Sequence, residues 1–416
     1  MTIARSPAAP RGAATKAPRS KAHRAAAARP TGVRIAGREI AVSTILLADV
    51  ALLCIVGLVM VGSASSVISI DTYGTPYAIL IREAMWMAIG AVALWLALRV
   101  DYRSLRRIAP TLLLVTFALL FIVLVPGLGV HAMGSSRWIG FGQFRLQPSE
   151  LMKLALTLFA ADFIAKRLDE EATDRRIIGP LILVTGFACV LILAQPDMGT
   201  AMVLGLIALA LLFVSGVRLG PVMKVMAALA GLAFIVAVSS PYRRARLLSF
   251  VDPSAHGSGS GYQVVQSLIG LGSGHLVGMG IGGGQAQWGY LPNAHTDFIF
   301  SVIGEQLGIV GALLVLGLLG CFLWLGIRAA TQAKDRFGAL LALGLVAWVA
   351  AETLINVGAV VGVLPVTGIP LPFISFGGSS LVITMAAAGV LINIARQGEQ
   401  GATPLRLAGA RAARGR

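Results

Sequence analysis

Apolar stretches long enough to cross a bilayer recur along almost the whole chain, and no other feature limits its fold so severely. Ten can be marked, at roughly 45–69, 77–99, 109–126, 151–165, 177–194, 199–215, 220–239, 298–327, 337–363 and 375–395. A helix needs about 20 apolar residues to span the hydrocarbon layer. Inside that layer every peptide group must find its partner within the protein, which favours helices. The expectation is an all-α polytopic membrane protein of about ten transmembrane helices. With 57% hydrophobic and only 12% charged residues, the chain has too little charge to clothe a soluble fold of this size. The fourth stretch is short and carries Lys153 and Asp162, whereas the eighth and ninth are long enough to tilt or project from the bilayer.

The positions of the cations set the orientation. If both termini are cytoplasmic, 27 of the 34 Lys and Arg fall in the tails and loops of that side. The other side keeps seven: Arg82, Arg137, Arg145, Lys153, Arg243, Arg244 and Arg246. Such an imbalance is what positive-inside topology produces, so the net charge of +16 does not point to nucleic acid. Residues 1–42 have no acidic residue before Glu39; their composition overlaps with a transit peptide but reads better as a disordered basic cytoplasmic tail. Residues 43–396 form the membrane domain and 397–416 a second basic tail. Cys54, Cys189 and Cys321 all lie in apolar runs, without disulfide or metal spacing.

The outer loops carry the remaining information. Loop 127–150, with Arg137, Trp138 and alternating residues around glycines, predicts a short hairpin lying on the membrane. Pro148 and Ser149 then start a helix, with Ser149 as its cap. Loop 195–200 brings Asp197 to the same face, and the large loop between helices 7 and 8, residues 240–297, ends in Asn293-Ala-His295-Thr296-Asp297. Asp297 stands where loop meets membrane, either as a helix cap or as a carboxylate kept for function. Segment 364–380 holds too many prolines for a helix and is expected to be re-entrant. Glu352 and Asn356, one turn apart, form either a buried structural contact or a cavity wall.

Five separated motifs resemble the shape, elongation, division and sporulation (SEDS) family over about residues 45–396. They are Val59-Met-Val-Gly-Ser-Ala-Ser65; Arg137-Trp138 with Gln147-Pro-Ser-Glu-Leu-Met-Lys153; Gln195-Pro-Asp-Met-Gly-Thr200; Ala294-His-Thr-Asp-Phe-Ile-Phe300; and Leu364-Pro-Val-Thr-Gly-Ile-Pro-Leu-Pro-Phe373 with Ser375-Phe-Gly-Gly-Ser-Ser380. Arg82, Ser63-Ala-Ser65 and Gly304-Glu-Gln-Leu-Gly308 lean toward the division branch. Asn293 and Gln306 depart from the pattern, standing where the family often has Glu.

The resemblance implies a peptidoglycan glycosyltransferase that polymerises lipid II at the outer face of the cytoplasmic membrane, at the division septum. The alternatives are an elongation-type polymerase or a lipid II flippase. Inverting transfer from a diphosphate donor requires a general base on the attacking sugar hydroxyl. Asp297 is the expected base, since Glu305 would lie about 12 Å deeper at helical rise. Substrate contacts are expected from Arg137, Trp138, Glu150, Lys153, Asp197, His295, Thr296 and Ser379. Arg243, Arg244 and Arg246 either receive the diphosphate or meet lipid headgroups, and Trp138 is either a sugar platform or an interfacial anchor. Mg²⁺ or another divalent cation would bind Asp297 or Glu150, and no organic cofactor is expected. The implied partners are a class B penicillin-binding protein and other division-complex membrane proteins, with no nucleic acid.

Overall fold

The structure, a computed structural model, describes residues 32–35, 38–132, 135–141, 144–171, 173–218 and 259–414, with isolated positions between 220 and 231. Residues 1–31, the seventh expected span and Arg243, Arg244 and Arg246 therefore lie outside the described residues or almost so. Helices occupy the other nine stretches. They are α1 (Val42–Tyr73), α2 (Ala78–Arg99), α3 (Leu105–Leu124), α4 (Pro148–Asp169), α5 (Asp174–Ala194), α6 (Met198–Val214), α8 (Ile299–Gln332), α9 (Arg336–Val360) and α10 (Ser379–Arg414). A further helix, α7 (Ser260–Ser273), lies within the large loop. Seven of the described helices are long and apolar enough to cross a membrane.

Burial sorts these helices into an inner and an outer set. The most apolar windows of α9 and α10 are 72% and 83% buried, whereas those of α2 and α3 are 22% and 28% buried. Apolar side chains left exposed on α2 and α3, such as Val92 and Leu114, belong against lipid. Contact between α2 and α10 depends on a small residue. A Cβ on Gly389 would fall 2.6 Å from the Leu94 carbonyl oxygen, so only glycine lets these backbones approach.

Two differences from expectation concern the tails. Residues Gly32–Ile35 (β1) and Arg38–Ala41 (β2) pair antiparallel, so the end of the expected disordered tail is a hairpin. At the other terminus α10 continues to Arg414, through the stretch expected to be a tail.

The charges in α4 have partners at both of its ends. Asp162 accepts from Arg106 Nε at 2.7 Å and Lys166 Nζ at 2.6 Å, and Asp169 meets Arg336 at 3.0 Å. Arg103 and Asp335 add another pair at 2.8 Å. These pairs tie the start of α3, the end of α4 and the start of α9 together at one end of the bundle. The opposite end carries three short strands, β3 (Val130–Ala132), β4 (Ser135–Phe141) and β5 (Phe144–Leu146), paired antiparallel in that order. The expected hairpin between α3 and α4 is therefore present, with one strand more.

Candidate functional site

The strand-bearing end opens into a cavity of about 630 Å³. Its wall takes residues from the end of α1, the starts of α2, α4, α6 and α10, the last turns of α9, and the segments around 293–297 and 367–378. Among the described spans, α2, α4, α6 and α10 begin at this mouth and α1 and α9 end there.

Asp297 is part of the wall. It does not occupy the cap position of α8, because Phe298 does and the helix starts at Ile299. One side chain fixes its backbone. Asn356 of α9 donates through Nδ2 to the Asp297 carbonyl at 2.8 Å and to the Ile369 carbonyl at 2.7 Å. One side chain thus holds the end of the large loop against the proline-rich segment. That segment is not helical from Val363 to Gly378, apart from turns, and is packed inside the protein, with Leu371, Phe373 and Ile374 buried. Its Gly368 has φ +82°, and a Cβ there would stand 3.6 Å from Asp297 Oδ2, so the carboxylate faces this glycine directly. The expected re-entrant segment is therefore the surface against which Asp297 is set.

The start of α4 supplies a buried charge cluster. Gln147 is the N-cap and Pro148 the first residue, so the cap lies two positions earlier than the Ser149 cap expected from sequence. Ser149 Oγ instead faces Asp197, at 3.4 Å from Oδ2. Lys153 Nζ is 2.7 Å from Glu150 Oε2 and also pairs with Glu352 of α9, and all three residues are 1–3% exposed. A buried ammonium needs such partners. Of the two readings offered for Glu352 and Asn356, Glu352 is part of the cavity wall and pairs with Lys153, while Asn356 bonds the two carbonyls. Asp197 caps α6, taking the Thr200 amide at 3.1 Å and its hydroxyl at 2.9 Å.

Arginines sit at the rim. Arg137 donates Nε to the Gln195 carbonyl at 3.0 Å and Nη2 to the Pro196 carbonyl, which straps β4 to the α5–α6 turn. Arg82 lies 4.3 Å from the Tyr73 ring centroid and donates to its hydroxyl at 2.8 Å. Arg145 also lines the cavity and is exposed. Arg82, Arg137 and Arg145 thus concentrate positive charge above the buried cluster, a setting suited to a phosphate-bearing ligand.

The comparison with known proteins now bears on this geometry. The model of the FtsW/RodA/SpoVE group, described as "Cell cycle protein", matches residues 43–400. The chain belongs to the FtsW/RodA/SpoVE family. It is 40% identical over 343 residues to Stage V sporulation protein E of Bacillus subtilis, covering 82% of this chain and 93% of that protein. It is 41% identical over 349 residues to a Coxiella burnetii protein named probable peptidoglycan glycosyltransferase FtsW, covering 83% and 93% respectively. Among solved structures, a chain of a peptidoglycan synthase complex described as coordinating polymerization and crosslinking matches with TM-score 0.70 and 29% identity. That match covers 85% of this chain and 98% of the other.

Within this FtsW/RodA/SpoVE chain, the structure brings most of the expected site residues to one wall: Arg137, Trp138, Glu150, Lys153, Asp197, Thr296, Asp297 and Ser379. His295 is not among them. Its ring packs against Phe376, with centroids 5.6 Å apart, and its carbonyl takes the Phe376 amide at 3.0 Å. Burial pushes its imidazole down to about 4. Arg82, Trp86, Asn293, Glu352 and Gly368 join the wall without having been singled out as site residues. Arg82 carried a usable signal, as a cation that topology left on the outer side. Gly368 fell within a motif and Asn356 beside Glu352, but neither showed its role, which depends on contacts between distant segments. No three His, Cys, Asp or Glu side chains converge to hold a metal ion among the described residues.

Proposed function

We propose that this protein is a peptidoglycan glycosyltransferase of the cytoplasmic membrane, acting at the division septum with a class B penicillin-binding protein. Its substrate is lipid II, bound at the outer mouth of a bundle whose termini are both cytoplasmic. Asp297 removes the proton from the 4-hydroxyl of one sugar as that oxygen attacks the anomeric carbon of another. The C–O bond to the lipid diphosphate breaks, its electrons leave with the phosphate oxygen, and the configuration inverts. The guanidiniums of Arg82, Arg137 and Arg145 receive the negative charge that develops there. The buried Glu150–Lys153–Glu352 cluster holds the floor of the site, and the cytoplasmic loops keep the excess of Lys and Arg.

The observation that carries this reading is the placement of Asp297, pinned by Asn356 and facing Gly368 in a cavity rimmed by arginines. Names carried by relatives at about 40% identity support it. A divalent cation such as Mg²⁺ fits this mouth only as a site completed by substrate. Asp297 would supply a ligand, the diphosphate and water the others, and the ion would shield the leaving charge. The test is to supply purified lipid II to the purified full chain with its partner transpeptidase, with and without chelator. Glycan strands are the expected product. Transfer of lipid II between vesicle leaflets without any polymer would overturn the reading in favour of a flippase.

A further inference from the structure

Helix α8 is broken near its top. Gly308 has φ 66° and ψ −167°, which interrupts the hydrogen-bond ladder and frees backbone groups on both sides. The loop after α7 supplies the missing partners. Met279 and Gly280 amides donate to the Glu305 and Gln306 carbonyls at 3.0 Å each. The Ile309 and Val310 amides donate to the His275 and Leu276 carbonyls at 3.0 and 3.3 Å. A loop is thus stitched into the break, where unpaired peptide groups would otherwise face hydrocarbon.

Glu305 adds a second attachment further along the same loop. Its side chain is buried, and its two oxygens accept the Gln285 amide at 2.6 Å and the Ala286 amide at 3.1 Å. The loop passes so close that a Cβ on Gly284 would lie 2.4 Å from Glu305 Oε2. From Gln285 the chain runs on through Asn293, held at φ 59°, to Asp297. The chain leading to the carboxylate is therefore anchored twice, by Glu305 at Gln285 and Ala286 and by the Asn356 side chain at the Asp297 carbonyl.

We infer that Glu305 is a positioning residue for the glycosyl transfer proposed above, an inference that rests on that reading. By receiving the Gln285 and Ala286 amides it locks the loop onto the broken top of α8 and so fixes where Asp297 stands. Glu305 exchanges no proton with substrate. Removing it frees the loop and lets Asp297 drift, and displacements of that kind cost on the order of 100-fold in rate.

The experiment measures lipid II polymerisation by the full chain with its partner, for wild type, E305A, E305Q and G284A. E305A is expected to lose about 100-fold in kcat with KM nearly unchanged. Its pH–rate midpoint should stay at the wild-type value, because the base is still Asp297. Hydrogen exchange at the 279–290 amides should quicken. E305Q keeps an acceptor oxygen and should recover about tenfold, roughly one hydrogen bond's worth. G284A, which pushes the loop off an intact Glu305, should reproduce the kcat loss and keeps the inference testable if E305A does not fold. Wild-type kcat in E305A or G284A, or a pH midpoint that moves in E305A, overturns the positioning role and leaves the glycosyltransferase reading intact. An inactive wild type overturns both.

Discussion

The imidazole of His295 is neutral because burial has stripped it of water, and this ties stability to pH. Its pKa falls from 6.5 to about 4, so between those values the unfolded chain binds a proton that the folded chain does not. Stability is therefore complete above 6.5 and is lost as pH falls toward about 4. Thermal unfolding across that window should show the loss, and H295Q, which has no proton to gain, should flatten the curve. An unchanged slope in H295Q would mean that the ring is not held against Phe376. The site was legible at this scale wherever chemistry announced itself, as with a carboxylate at a membrane boundary or a cation on the wrong side for topology. Lys153 was legible as a membrane charge, but not its second partner, because Glu352 lies 199 positions away. Asn356 shares a helical face with Glu352, and that periodicity suggested a local pair. Its amide instead bridges two distant carbonyls, a role that only the assembled site reveals.

Among the elements, the break in α8 is the feature on which the site most depends. Alanine at a left-handed backbone position costs about 1–2 kcal/mol. At Gly308 its Cβ would also fall 2.5 Å from Gly278 N and Leu276 O. G308A should therefore lower stability by more than about 1 kcal/mol in unfolding measurements and loosen the 275–280 loop in hydrogen exchange. Stability equal to wild type would show that the loop is not stitched into the break. Helices over the nine described stretches were largely readable from their apolar length, since a membrane leaves helices as the main way to satisfy the backbone. The outer hairpin was readable from its alternation around glycines, and the re-entrant segment from its prolines. The break was not. Gly308 ends the Gly304-Glu-Gln-Leu-Gly308 motif inside a long apolar stretch, and glycine in a membrane helix more often marks close packing than interruption. The Ser149 cap was misplaced by two residues because Pro148 fits the first helical residue and Gln147 takes the cap.

For the molecule as a whole, charge and helix alternation make the same division. The cavity and its arginines lie at one end, and the Arg103–Asp335, Arg106–Asp162 and Arg336–Asp169 pairs lie at the other. Asp71 and Lys334 are exposed at opposite ends of the bundle. In a background lacking Cys54, Cys189 and Cys321, D71C should react with an impermeant thiol reagent on intact cells. K334C should react only after permeabilisation, and the reverse pattern would invert the topology. Several deeply placed charges are paired inside the bundle, as Lys153 is with Glu150 and Glu352 and Asp162 with Arg106, whereas Asp49 and Glu83 are buried with one side-chain oxygen each left without a hydrogen bond.

The most direct measurement compares D297N with wild type for lipid II binding and for glycan formation in the same preparation. The account predicts binding within a few-fold of wild type and a loss of polymerisation of at least 10²-fold, the scale at which a general base contributes. A folded D297N protein that binds lipid II and polymerises it at the wild-type rate would contradict it.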